Sequence, residues 1–166
     1  LESAYRKLGQ THDALRLRFF PTEQGWQAEI LQDCATTLNW QFSSLVSIAP
    51  DSRERVINEI ARTAQEAIDL ATGPIASMIL FDFGDQEPQK IYLVFHHFVM
   101  DVISWNSFWQ ELELLCTKME IASSNGENSM VLNQSPRSPR GVSFRSWSHV
   151  LRSLADSQVT EEAARK

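Results

Sequence analysis

The sequence predicts a mixed α/β (α+β) fold, and three observations carry that prediction. Leu15-Arg16-Leu17-Arg18-Phe19 alternates apolar and basic side chains, the period of a strand with one wet face. Val56, Ile60, Ala64, Ala67 and Ile68 recur on one helical stripe. Segments 75–83 and 90–99 are apolar at nearly every position, as strands covered on both faces are. Helical and extended segments interleave, so both kinds are expected to share one sheet.

Taken in order, Leu1, Ala4, Tyr5 and Leu8 have helical spacing, and the chain starts as if already inside a helix. It therefore reads as part of something longer. Pro21-Thr22-Glu23-Gln24-Gly25 is a turn between strand 15–19 and a partner at 26–31, which makes a hairpin. Residues 40–42 form a short edge strand. The next helix starts at Asp51 or Ser52 as N-cap and stops at Gly73-Pro74. Strands 75–83 and 90–99 follow, joined by Gly84-Asp85-Gln86-Glu87-Pro88. Trp105, Phe108, Trp109, Leu112, Leu115, Cys116 and Met119 then lie on one helical stripe, with Ser104 or Asp101 as cap. Residues 123–142, rich in Ser, Asn, Pro, Gly and Arg, read as a surface loop. Phe144, Trp147, Val150, Leu151 and Leu154 mark a last amphipathic helix, before a polar tail from Gln158.

Composition limits the function classes. The chain has 166 residues, enough for one domain or one lobe of a larger one, and 43% hydrophobic residues, enough for a real core. A formal net charge of -6 with no basic patch argues against nucleic acid. No apolar run approaches the roughly 20 residues that span a bilayer, and no signal peptide is visible, so a cytoplasmic protein with no membrane partner is expected. Cys34 and Cys116 match no metal or redox spacing and are expected to be reduced thiols. His12 and His149 lack partners at ligand spacing and read as surface or packing residues. Asp82-Phe83-Gly84 spells a kinase tripeptide, but no Gly-rich loop or catalytic-loop motif accompanies it.

The chemistry is concentrated in Phe95-His96-His97-Phe98-Val99-Met100-Asp101. On a regular strand His96 and His97 point to opposite faces, so one faces a cleft, the other packs inward, and no shared metal is expected. Asp101 lies where strand gives way to helix, and a carboxylate there can fix the loop, cap the helix or neutralise an Arg. A histidine beside a crevice suits general-base work, because histidine as a residue type titrates near neutrality.

These residues resemble a family. His96-His97-Phe98-Val99-Met100-Asp101 is similar to the HHxxxD core of the HHxxxDG motif of nonribosomal peptide synthetase condensation and epimerization domains. Thr11-His12-Asp13-Ala14-Leu15-Arg16-Leu17-Arg18-Phe19 looks like the family's upstream H(D/E)xLRxxF segment, and Val142-Ser143-Phe144-Arg145-Ser146-Trp147 is similar to its SFxxW helix. Ile103-Ser104-Trp105 and His12-Asp13-Ala14-Leu15-Arg16 lean toward the epimerization subtype. Val102 departs from the family's Gly after the Asp. An aliphatic residue there accords with fungal epimerization domains or with a weakened site.

The resemblance implies a chloramphenicol acetyltransferase-like, two-layer α/β sandwich of which this chain is the N-terminal lobe only. Its core is about 1–121, with a variable loop at 122–142, a linking helix at 143–157 and a tail at 158–166. It implies His97 as the catalytic residue, acting at the Cα proton of an L-aminoacyl or peptidyl thioester to give the D-isomer. It makes His96 a support behind His97, and Asp101 structural through a salt bridge to Arg16. Ser104 and Trp105 cap and pack the following helix or line the tunnel. No cofactor is bound directly, because the substrate arrives on the 4'-phosphopantetheine arm of a peptidyl or acyl carrier domain. The other expected partners are the C-terminal lobe and adjacent synthetase domains. An amide-forming condensation domain and a non-catalytic docking module are the alternatives, and the isolated lobe is expected to be inactive.

Overall fold

The computed structural model describes residues 1–85, 87–124 and 144–155. The chain divides into two compact units, Leu1–Asn128 and Ser129–Lys166. The first opens with helix α1 (Glu2–Thr11), whose buried face is Ala4, Tyr5, Leu8 and Gly9. Gly9 is needed for contact: a Cβ there would lie 2.8 Å from Cys34 Sγ and closer still to Leu38 Cδ1. A short 3₁₀ turn, Asp13–Arg16, puts Leu15 into the core. Strand β1 (Leu17–Thr22) therefore begins two residues later than the alternation suggests. It pairs antiparallel with β2 (Gly25–Ile30), Thr22 opposite Gly25. Pro21 belongs to β1 rather than to the turn, which a two-stranded ribbon tolerates. Every residue of β2 is exposed.

A second, three-stranded sheet has the order β3-β4-β5. Strand β3 (Leu38–Ser44) is an edge strand, longer than its sequence pattern suggests, and runs parallel to β4 (Ala76–Asp82). A parallel pair needs a crossover, and helix α2 (Pro50–Glu66) supplies it. Helix α2 is capped at Ala49 and not at Asp51 or Ser52. Pro50 occupies the first helical position, where its missing N–H and fixed φ cost nothing. The helix also stops at Glu66, well before Gly73-Pro74. There the Asp69 carboxylate accepts the Ala71 and Thr72 N–H groups (2.8 and 2.6 Å) and builds a turn of its own. Gly73 has φ +81° and lies against the Thr36 carbonyl, so it sets the entry to β4 and not the end of α2.

Strand β5 (Lys90–Phe95) pairs antiparallel with the central β4, Ala76 opposite Phe95. Alternate residues of β4 serve two cores. Ala76 and Met78 join Tyr5, Leu8, Leu15, Leu38, Phe108, Leu112 and Leu115 beneath α1 and α3. Ile79 and Phe81 join Leu45, Ala64 and Phe83 beneath Val56, Ile57 and Ile60 of α2. This double coverage explains the continuous apolar run of β4, whereas edge strand β5 is only partly buried. Helix α3 (Val102–Ser124) closes the unit, with Phe108, Leu112, Leu115 and Ala122 buried. It extends into the segment read as loop. Residues 125–143 and the tail from 156 lie outside the described residues. In the second unit, α4 (Phe144–Ala155) carries Trp147, Val150, Leu151 and Leu154 as an exposed apolar stripe.

Candidate active site

The site is built where β5 ends. The last ladder contact is the His96 N–H donating to the Ile75 carbonyl at 2.8 Å. The chain then turns instead of continuing as a strand to Val99. The Val99 N–H donates to the His96 carbonyl (3.0 Å) and the Phe98 N–H donates to His96 Nδ1 (3.1 Å). The premise that strand alternation separates the two histidines is therefore corrected. His96 and His97 diverge because a tight turn starts at His96. The His96 ring is half-buried and meets Phe98 edge-on, 5.0 Å between centroids. Val99 and Met100 then return to the interior.

His97 is exposed and lines a pocket of about 130 Å³ with Phe95, Met100, Asp101, Val102 and Trp105. One wall is rigid: Phe95 and Trp105 meet edge to face at 5.1 Å, and both rings rest on Phe108. Met100 is the buried side. The mouth is open and apolar where Val102 lines it at 78% exposure; Ile103 and Phe98, its neighbours in sequence, are exposed as well. An imidazole on an open pocket with a fixed aromatic wall can take a proton from, or orient, a substrate that enters from the open side.

Asp101 lines the same pocket and caps α3. Its Oδ1 accepts the Ser104 N–H at 2.7 Å. The Ser104 hydroxyl and N–H together hold the carboxylate below its ordinary range, with a smaller contribution from His97. The expected Asp101–Arg16 salt bridge is not formed. Arg16 pairs with Asp13, three residues earlier on the 3₁₀ turn, and reaches the Gln32 carbonyl at 3.4 Å. A one-turn local partner wins over a distant one, because the guanidinium needs little ordering to reach it. Thus His97, Asp101 and Trp105 come together, Ser104 belongs to the cap, His96 is turned to Phe98 and is not part of the pocket lining, and Arg16 pairs with Asp13. Val102 occupies the first helical position of α3, a conformation open to any L-residue, so no glycine is required there.

Sequence reasoning gave no role to Phe95, which precedes the motif, or to Met100, which lies inside it; their only signal was that position. It also missed the partner of His12. His12 Nε2 and Glu111 Oε2 lie 2.7 Å apart and tie the end of α1 to α3, a pairing across 99 positions that no spacing rule contains. A larger depression, about 470 Å³, lies between Asp51 and Arg62. It is the charged face of a single helix, on which Arg62 pairs with Glu59 and Glu66. Among the described residues, no three His, Cys, Asp or Glu side chains gather as a metal site. No helix among them is long and apolar enough to cross a membrane.

Comparison with known proteins defines the class. The Condensation domain family model matches residues 1–164, so the chain belongs to the condensation-domain family. It is 27% identical over 163 residues to a linear gramicidin synthase of Brevibacillus parabrevis, covering 98% of this chain and 2% of that protein. It is 29% identical over 167 residues to nonribosomal peptide synthetase 4 of Gibberella zeae, with 98% and 2% coverage. Among solved structures, the epimerization domain from the third module of tyrocidine synthetase B matches with a TM-score of 0.71 and 22% identity, over 94% of this chain and 32% of that one. The starter condensation domain of rhizomide synthetase matches with a TM-score of 0.58 and 21% identity, over 75% and 28%. The particular chain is thus a condensation-type domain segment of nonribosomal peptide synthetase kind, with the chloramphenicol acetyltransferase-like α/β fold, spanning about a third of these solved domains.

Proposed function

We propose that this chain is the N-terminal lobe of an epimerization domain, converting an L- to a D-aminoacyl or peptidyl thioester on a carrier protein. The observation that carries the proposal is His97, exposed on a pocket walled by Phe95 and Trp105 at the head of a capped helix. The thioester carbonyl acidifies the adjacent Cα–H. His97 accepts that proton, the electron pair moves onto the thioester oxygen as an enolate, and return of a proton to the opposite face of Cα gives the epimer. Delivery to the opposite face requires a second acid, which the reading assigns to the C-terminal lobe. The phosphopantetheine arm belongs to the carrier and enters as part of the substrate. The pocket's open, apolar rim suits its approach. The Ile103-Ser104-Trp105 step and the likeness to a domain described as an epimerization domain support this subtype.

Condensation is the rival, favoured by likeness to starter condensation domains. There His97 would orient or deprotonate an attacking amine. A complete domain containing this lobe, given a carrier loaded with an L-aminoacyl thioester in deuterated water, separates the two. His97-dependent deuterium uptake at Cα with D-isomer formation supports epimerization. Amide formation with a second loaded carrier, without exchange, supports condensation. Neither activity in a folded protein leaves a docking module.

A further inference from the structure

All three polar groups of His96 nearest the turn are used. Its N–H donates to Ile75 O (2.8 Å), its carbonyl accepts from Val99 N–H (3.0 Å), and its Nδ1 accepts from Phe98 N–H (3.1 Å). The last of these reproduces an Asx turn with an imidazole. Counted from Cα, Nδ1 lies the same number of bonds out as the side-chain oxygen of asparagine, and it closes the same ring onto the N–H two residues on. The acceptor role fixes the tautomer, because Nδ1 must be bare and the ring proton must sit on Nε2. The same ring meets Phe98 edge-on, and Phe98 in turn meets Phe19 of β1 at 5.7 Å.

We propose that His96 is a positioning residue whose bare Nδ1, bonded to the Phe98 N–H, holds the turn that presents His97 to its pocket. The inference rests on the reading that His97 performs the chemistry, and it specifies an atom and a replaceable role. Asparagine at 96 keeps the acceptor at the right reach. Glutamine places its oxygen one bond too far. Leucine keeps bulk against Phe98 but has no acceptor.

The test uses a complete domain containing this lobe and the Cα-exchange assay. His96→Asn is expected to retain kcat to within about threefold. His96→Gln and His96→Leu are expected to lower kcat on the order of 100-fold with little change in KM, the scale of a catalytic group displaced by about 1 Å. Wild-type activity in the Gln or Leu variant, or equal loss in all three, overturns the proposal. Nitrogen-15 spectra of the histidine-labelled wild type provide a readout independent of turnover and of variant folding. A bare Nδ1 and protonated Nε2 at His96 support the assignment, and the opposite tautomer overturns it. His97→Ala in the same assay scores the catalytic reading separately: full activity there refutes the role of His97 and leaves the tautomer result to judge His96.

Discussion

Replacing Phe108 by alanine tests whether core and pocket share one support. Phe108 is 5% exposed and touches four other rings: Tyr5 at 6.4 Å, Phe95 at 5.1 Å, Trp105 at 6.4 Å and Trp109 at 6.1 Å. Removing the ring forfeits about 2–3 kcal/mol of burial. A void of up to about 100 Å³ adds about 2 kcal/mol at roughly 24 cal/mol per Å³, and partial collapse trims it. The expected loss is therefore about 4 kcal/mol, a large share of the roughly 5–15 kcal/mol typical of a folded domain. Urea denaturation of a complete domain containing this lobe reads the stability. Exchange activity of the fraction still folded reads the pocket, because Phe95 and Trp105 lose the surface on which they rest. Activity is expected to fall along with stability. A stability loss below about 1 kcal/mol would refute the packing argument. A large loss with unchanged activity in the folded fraction would refute the claim that the ring supports the pocket wall.

Three other outcomes are expected. Tyr5 buries its hydroxyl with no hydrogen-bond partner among the described residues, and burial pushes the phenol far above its usual range. Tyr5→Phe should leave urea stability equal or raise it by about 1 kcal/mol, and a clear loss would reveal an unseen partner. Asp101 has its folded pKa lowered by Ser104, so its capping contribution is present above the ordinary carboxylate pKa of about 4 and is lost as pH falls through the lower folded value. The stability gap between wild type and Asp101→Ala should therefore close below about pH 4, and a gap independent of pH refutes the cap. Val102→Gly should change His97-dependent exchange by no more than about threefold, because Val102 is 78% exposed in a helical conformation. A larger gain would mark valine as an obstruction in the pocket.

Periodicity was enough to locate the two long helices, because each buries one repeated face against the three-stranded sheet; β4 was legible as a continuous apolar run covered on both faces, and the hairpin from its turn between two short strands. Periodicity failed where a turn held by specific hydrogen bonds outweighs the apolar pattern. The apolar run through Val99 promises a strand to that point, yet the ladder ends when the His96 N–H finds Ile75 O. Gly73-Pro74 is a proper stop signal, but the Asp69 turn stops α2 first. Of the site, His97, Asp101 and Trp105 were legible from one short motif, since its residues stay together whatever the rest of the chain does. The Arg16 partner was not, because the alternating pattern read as strand where the chain makes a 3₁₀ turn that brings Asp13 to it; nor was the His12–Glu111 bridge, which depends on how α1 and α3 come to lie in space.

The corrected role of Asp101 bears on how this site can work. A carboxylate committed to a buried arginine would be a fixed brace remote from solvent. Here it is exposed, ionised and bound to the first turn of α3, on the same pocket as His97. Its ionised form is favoured first by the Ser104 hydroxyl and N–H and, to a smaller extent, by His97, while its oxygen holds the helix. Two constraints then fix His97 from either side: the His96 turn before it and the Asp101 cap after it. Only four residues, 97–100, lie between these two ties, and burial of Val99 and Met100 anchors the segment further, so little freedom is left for His97 to turn away from its aromatic wall.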